Sequence, residues 1–498
     1  MKEKREEKYQ NIMRATSIFG GVQLINIIIN IVRSKYIATL LGPSGMGVMG
    51  LFTSAITIIS SLTNFGLGVS AIKDISLAHS SDNNEQISKV VTVFKRLVIF
   101  TGLLGTIIFF IISPWLSSIT FGSSNYTLAF YWISFTLIIN QLTTAQMVIL
   151  QGMQKIHYLA QANLFGSLAA LIINIPLYYI FRINGIAIGI ISSSIIALII
   201  SWLYSNKIAI PKINISAKDV FIEGKSMLKM GFIISLNSIL SVGFAYILRI
   251  YITRFGGLEQ VGLFNAGFAI INTYVGLVFA AMATDYYPRL CAIAHNNVLC
   301  KETINQQADV GILIISPIIV FFIIFIYYII NILYSNQFIK INGMLYWSAI
   351  GMFFKTVSWS ISYLLLAKAS SKIFIINELA AHIYIMIFNL IGYYLMGLTG
   401  LGISFAFAYF IYMLQVYIFS KRYYGFSFDS SFLLIFIVQF IIALLAIICI
   451  NYIIYPYSYF VGCILIFISL FYSIYELNKR FDLKIFIKNL YYNMHKEV

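Results

Sequence analysis

Twenty-six of the chain's 33 lysines and arginines fall in alternate gaps between about fourteen long apolar stretches. Three more (Arg182, Arg254, Lys340) fall in the other gaps, and four (Arg33, Lys35, Arg249, Lys355) lie inside the apolar stretches. Loops on the cytoplasmic face of a membrane carry the Lys/Arg excess. The alternation therefore predicts a chain that threads a bilayer many times, with both termini on the cytoplasmic side.

The composition agrees. Of 498 residues, 60% are hydrophobic and 10% charged, against about 25% charged in soluble domains. Backbone in hydrocarbon must satisfy its own hydrogen bonds, which leaves helices or a closed barrel. The apolar runs are of helix-spanning length, roughly 20 residues or more, where a barrel strand needs roughly 10 alternating ones. The expected fold is all-α and polytopic. The net charge of +16 is spread over short loops with no soluble domain to gather it, so it reads as a topology signal and a contact with anionic lipid, and nucleic acid is not expected as a partner. Cys291, Cys300, Cys449 and Cys463 lack metal-ligand spacing and read as small apolar residues. No cofactor is expected. The Lys- and Glu-rich start, Met1 to Asn11, leads into an apolar run too long for a cleavable signal peptide.

Turn signals divide the chain. Helix one is expected to end at Leu41-Gly42-Pro43-Ser44-Gly45, helix two near Ile72, helix three near Ser113-Pro114-Trp115, and helices five and six to join at Phe181–Gly185. The longest polar segment, 207–229, separates a first six-helix bundle, 1–206, from a second, 230–422. Residues 423–498 hold two further spans and a basic tail. Tyrosine pairs at span ends (Tyr178-Tyr179, Tyr286-Tyr287, Tyr393-Tyr394, Tyr423-Tyr424) fit an interfacial aromatic belt.

The two bundles match at a constant offset of 215 positions. Tyr36 falls on Tyr251, Gly42 on Gly257, Gly47 on Gly262, Asn174 on Asn389 and Gly185 on Gly400. Six spans is an even number, so the repeats enter the membrane in one direction and are related by an axis along its normal. Two such bundles suit alternating access about a central cleft.

A cation within a span costs from about 3 kcal/mol upward and marks a functional position. Arg33, Arg249 and Lys355 are expected to line the cleft, with Lys35 and Arg254 either adding to it or snorkelling to the interface. Few acids lie at that depth, so the cavity should be cationic and suited to an anion; arginine's fork matches phosphate. Glu378 and His382, spaced i, i+4 on one helix face, are candidates for ion or proton coupling, with a structural pairing of Glu378 with Lys355, Lys372 or His382 as the alternative. No P-loop, HExxH, GxSxG or DxD pattern is present, so neither ATP drive nor catalysis is expected and the chain reads as a non-enzyme.

The run Arg33-Ser34-Lys35-Tyr36-Ile37, the turn Leu41-Gly42-Pro43-Ser44-Gly45-Met46-Gly47, Gly50-Leu51-Phe52, Thr63-Asn64-Phe65-Gly66-Leu67-Gly68 and Val261-Gly262-Leu263-Phe264-Asn265-Ala266 resemble Wzx-type O-antigen translocases. These form the polysaccharide-transporter branch of the multidrug/oligosaccharidyl-lipid/polysaccharide exporter superfamily. The resemblance covers about residues 12–475 and implies a V-shaped pair of bundles around a cationic cavity. It also implies a flippase that moves an undecaprenyl-diphosphate-linked oligosaccharide from the cytoplasmic to the periplasmic leaflet of a bacterial inner membrane. Partners would be that lipid-linked oligosaccharide, membrane lipids and other surface-polysaccharide assembly proteins. The cavity role carries to Arg33, Arg249 and Lys355. Competing readings are a lipid II flippase, a multidrug or cation exporter of the same superfamily and, in another class, a membrane glycosyltransferase or polysaccharide polymerase.

Overall fold

The computed structural model describes residues 2–480 except 82, 212, 214, 369 and 370, and side chains from residue 25 onward apart from a few within helices. The Lys/Arg cluster before Asn11, Lys212, the side chain of Lys372 and the basic tail beyond Arg480 lie outside the described residues. Described residues form helices and no strand.

Among the described residues, ten segments are long and apolar enough to cross a membrane. Two of them, Ile156–Ser205 and Ile375–Tyr424, are 50 residues each. A straight helix of that length would measure about 75 Å, more than twice the roughly 30 Å of a bilayer core. Both fold back on themselves. The first is α5 (Ile156–Phe181) and α6 (Gly185–Ser205), reversed at Arg182 (φ 52, ψ −133) and tied by Asn174 Nδ2 donating to Ser193 Oγ at 2.7 Å. The second is α11 (Ser371–Tyr424), reversed at Gly397 (φ 58, ψ −137) and tied by Ser404 Oγ donating to the Phe388 carbonyl at 2.7 Å. Arg182 and Gly397 are separated by the 215-residue offset, so the duplication extends to backbone dihedrals where the residue type differs.

The same holds at the first kink of each repeat. Helix α1 (Lys2–Thr63) breaks at Gly42 (φ 65, ψ −173) and α7 (Ala217–Ala269) at Gly257 (φ 77, ψ −179). That region is open essentially to glycine alone. The two kinks lead into a reciprocal contact. A Cβ on Gly47 would lie 2.1 Å from the Leu258 carbonyl oxygen, and one on Gly262 would lie 1.7 Å from that of Pro43. Pro43 and Leu258 are themselves 215 apart, so the contact is self-complementary about a local two-fold. Small residues allow this backbone approach, the usual basis of tight helix packing in membranes.

Two sequence expectations on helix ends are revised. Helix two stops at Thr63, where Asn64 Oδ1 accepts from the Gly66 amide at 2.9 Å and Gly66 takes a left-handed conformation before α2 (Leu67–Ser80). Helix α3 (Asn84–Phe121) runs straight through Pro114 and ends at Gly122 (φ 74). Proline is tolerated in such helices because neighbouring groups take up the freed backbone.

By packing, the chain forms two units: Met1–Leu263 with Leu333–Gln337, and Phe264–Ile332 with Phe338–Val498. The first holds α1–α6, α4 being Thr127–Gly152, and most of α7. Its interior joins Phe52, Phe109, Phe130 and Tyr178 from four helices. The second holds α8 (Gly276–Ala292), α9 (Asn297–Leu333), α10 (Asn342–Ala367), α11, α12 (Ser430–Tyr452) and α13 (Tyr457–Arg480). Helix α13 exposes Phe467 and Phe471 at 69% and 74%, a surface suited to lipid rather than water.

Candidate functional site

The intramembrane cations fall into three environments. Lys355, on α10 in the C-terminal unit, points its ammonium at three aromatic rings: Tyr409 at 5.3 Å, Phe405 at 5.8 Å and Phe279 at 6.0 Å to the centroids. Phe405 and Tyr409 sit one turn apart on the second arm of α11, and Phe279 comes from α8. Each contact is a cation–π interaction, worth about 0.5–2 kcal/mol according to desolvation. Ion pairs among the described residues include those of Lys89, Arg289, Lys301 and Arg480; Lys355 and Arg33 enter none of these. The rings hold the ammonium without consuming its three N–H donors, so Lys355 retains the capacity to bind an anion.

Arg33, on α1 in the N-terminal unit, lies beside Tyr178 of α5. Its Nε is buried without a hydrogen-bond partner. A guanidinium with an unspent donor in a half-buried position is likewise able to accept an oxyanion. Arg249, on α7 in the same unit, is half-buried and donates from Nη1 to the Ala245 carbonyl at 2.9 Å, one turn back along its own helix.

Lys35 is half-buried, and its carbonyl accepts from Thr39 Oγ1 at 2.9 Å. Arg254 does something the sequence did not reveal. Its Nη2 donates to the carbonyls of Ser118 (2.6 Å) and Ile119 (3.1 Å) in the last turn of α3. A cation there satisfies orphan carbonyls and complements the negative end of the helix. Arg254 is a helix cap, an exposed residue with its guanidinium already engaged.

Glu378 is half-buried on the first arm of α11. Tyr412 of the second arm donates to its Oε1 at 2.5 Å and Asn377 Nδ2 approaches at 3.4 Å. Asn377, fully buried, accepts from Gln415 at 2.7 Å. The carboxylate therefore belongs to a polar clasp closing the α11 hairpin, with His382 one turn further along. Tyr409 and Tyr412, 6.3 Å apart, connect this clasp with the rings around Lys355. These partners were missed from the sequence, although Phe405, Tyr409 and Tyr412 follow i, i+4, i+7 spacing and so share a helix face.

Ten long apolar segments among the described residues, with kinks paired at the repeat offset, define a multi-pass helical membrane protein. It is similar to the lipid II flippase MurJ in an inward closed conformation, with a TM-score of 0.68 at 15% identity over 93% of this chain and 99% of that one. It is also similar to an inward-facing multidrug resistance MATE family transporter of the MOP superfamily, with a TM-score of 0.68 at 16% identity over 80% and 94%. Residues 36–343 match the family described as polysaccharide biosynthesis protein, and the chain belongs to that family. Its relatives include the lipid III flippase of Escherichia coli (strain K12), 21% identical over 76% of this chain and 90% of the relative. A Shigella flexneri protein described as a candidate O-antigen transporter is 25% identical over 78% and 92%.

Proposed function

We propose that the protein is a flippase that carries an undecaprenyl-diphosphate-linked oligosaccharide, an O-antigen or related surface-glycan repeat unit, from the cytoplasmic to the periplasmic leaflet of a bacterial inner membrane. Membership of the polysaccharide biosynthesis family and relatedness to a lipid III flippase support the substrate class. The observation that carries the reading is Lys355: a cation within an apolar helix whose ammonium, among the described residues, is faced by three aromatic rings and enters none of the ion pairs above.

In this reading the diphosphate binds to Lys355, Arg33 and Arg249, and the polyprenyl tail stays in lipid. The sugars pass in water between the two repeats as these alternate in access. Sugars and phosphates cannot cross about 30 Å of hydrocarbon unaided. Outward movement of a dianion down a negative-inside potential gains about 2.3 kcal/mol per charge per 100 mV, so no ATP site is needed. The Glu378 clasp, with His382, is the candidate for coupling to a proton or cation. In this reading both termini lie on the cytoplasmic side, which the Lys/Arg distribution supports.

The test is a deletion strain complemented with Lys355→Ala, Arg33→Ala or Arg249→Ala at matched protein levels. Loss of surface glycan with lipid-linked precursor accumulating on the inner leaflet supports the reading. Normal glycan display in all three variants removes it.

A further inference from the structure

The start of α7 forms a second charged surface, remote in sequence from the cations above. It is the capped first segment of the continuous helix α7, ahead of the break at Gly257. Ser216 caps it: Ser216 Oγ donates to the Asp219 carboxylate at 2.6 Å and accepts from the Asp219 amide at 3.2 Å, the bond of a serine N-cap. Val220, Gly224 and Met227 are buried against α3, where Val220 and Met227 join Val93, Phe94 and Leu97 in one apolar cluster. Gly224 sits so close that a Cβ would meet Leu97 Cδ1 at 2.5 Å. The docking is keyed by charge as well. Lys89 of α3 pairs with Glu223 at 2.9 Å, and Arg96 donates to the Ile215 carbonyl.

The opposite face is exposed among the described residues. Lys218, Ile222, Lys225 and Lys229 are spaced i, i+4, i+7, i+11 and all exposed, with Phe221 at their flank. At 3.6 residues per turn the four fall within an arc of about 60°, and with Phe221 about 100°. Both acids of this stretch are engaged elsewhere, Asp219 in the cap and Glu223 with Lys89, so neither neutralises the three ammonium groups. The helix also lies at a defined level of α3. Phe221 packs edge-on against Phe100 at 5.2 Å, at the start of α3's apolar run, while Glu223 reaches Lys89 in its charged first turns. That boundary is where headgroups meet acyl chains.

We infer that residues 217–230 form an interfacial helix that binds anionic phospholipid headgroups through Lys218, Lys225 and Lys229, with Phe221 and Ile222 seated among the upper acyl chains. Lysines on such a helix extend to the phosphate level while apolar neighbours insert. The site is independent of the flippase reading and involves none of its residues.

Full-length protein carrying Phe221→Trp, reconstituted in vesicles, tests it. Quenching of the added tryptophan, read as the difference from the unsubstituted protein, is measured with dibrominated phosphatidylglycerol and with dibrominated phosphatidylcholine at equal mole fraction. The glycerol lipid should quench several-fold more. Each lysine contributes up to roughly fivefold enrichment, so Lys225→Gln should lower the ratio and Lys218→Gln/Lys225→Gln/Lys229→Gln should bring it to one. Absence of quenching by either lipid overturns the placement of the helix. Equal quenching by both lipids, or a ratio unchanged by Lys225→Gln, overturns the anionic selectivity.

Discussion

At residue scale the most exacting positions are those where backbone and substrate chemistry each admit few side chains. Gly42 and Gly257 share a dihedral region that costs other residues about 1–3 kcal/mol. Gly42→Ala and Gly257→Ala should each lower thermal stability in detergent. Gly262→Ala should lower it further, because its Cβ would strike the Pro43 carbonyl. Gly166→Ala, in α5 with open space around it, should be neutral or stabilising by up to about 1 kcal/mol. Arg182 occupies the strained counterpart of Gly397. Arg182→Gly should therefore raise the unfolding temperature, despite losing a long 3.3 Å hydrogen bond to the Leu40 carbonyl. The glycines were legible from their repeated spacing, because a missing Cβ is itself the signal. The setting of Lys355 was not: its rings come from α8 and the far arm of α11, and a sequence shows the charge without the partners. Arg254 looked like another such cation until its contact with the end of α3 was seen.

At the scale of elements, the C-terminal unit holds its last helix by charge. Arg480 of α13 bonds Asp309 of α9 at 2.9 Å, Glu476 at 2.5 Å and Ser431 of α12 at 2.8 Å, with all three charged side chains less than a quarter exposed. Removing the cation leaves two acids facing each other, a loss of about 3 kcal/mol or more by analogy with broken buried pairs. Arg480→Ala should lower the melting temperature and expose the α13 end to protease. Arg480→Met with Asp309→Asn and Glu476→Gln should recover most of the loss. The spans themselves were readable from hydropathy, since length and apolarity decide what a bilayer accepts. Helix ends were less so. The break at Asn64–Gly66 lies within apolar sequence, and Pro114 looked like a terminator where the helix continues. The docking of the linker helix on α3 was invisible, because its buried residues are few and small.

Across the whole molecule, the duplication read at an offset of 215 reappears in two pairs of backbone kinks and in the reciprocal Gly47 and Gly262 contact. Gene duplication preserves backbone constraints longer than side chains, which is why Arg182 and Gly397 share dihedrals without sharing identity. The charge distribution belongs to this scale too. Cysteines placed near the N-terminus and at Lys421 should both resist a membrane-impermeant thiol reagent added to intact cells, while one at Lys340 should react. The reverse pattern would contradict the proposed orientation.

The proposed movement of a diphosphate-linked oligosaccharide between leaflets, with Lys355 as an anion-binding residue, can be followed directly. The direct measurement uses purified protein in sealed vesicles loaded with fluorescent undecaprenyl-diphosphate oligosaccharide, and follows the fraction of the sugar accessible to an external glycosidase. The account predicts that accessibility rises from the outer-leaflet fraction toward completion with wild-type protein, and that Lys355→Ala slows this by about tenfold or more, equivalent to losing one charge-assisted contact of roughly 1.5–3 kcal/mol. Accessibility no greater than in protein-free vesicles, or an undiminished rate in Lys355→Ala, would contradict it.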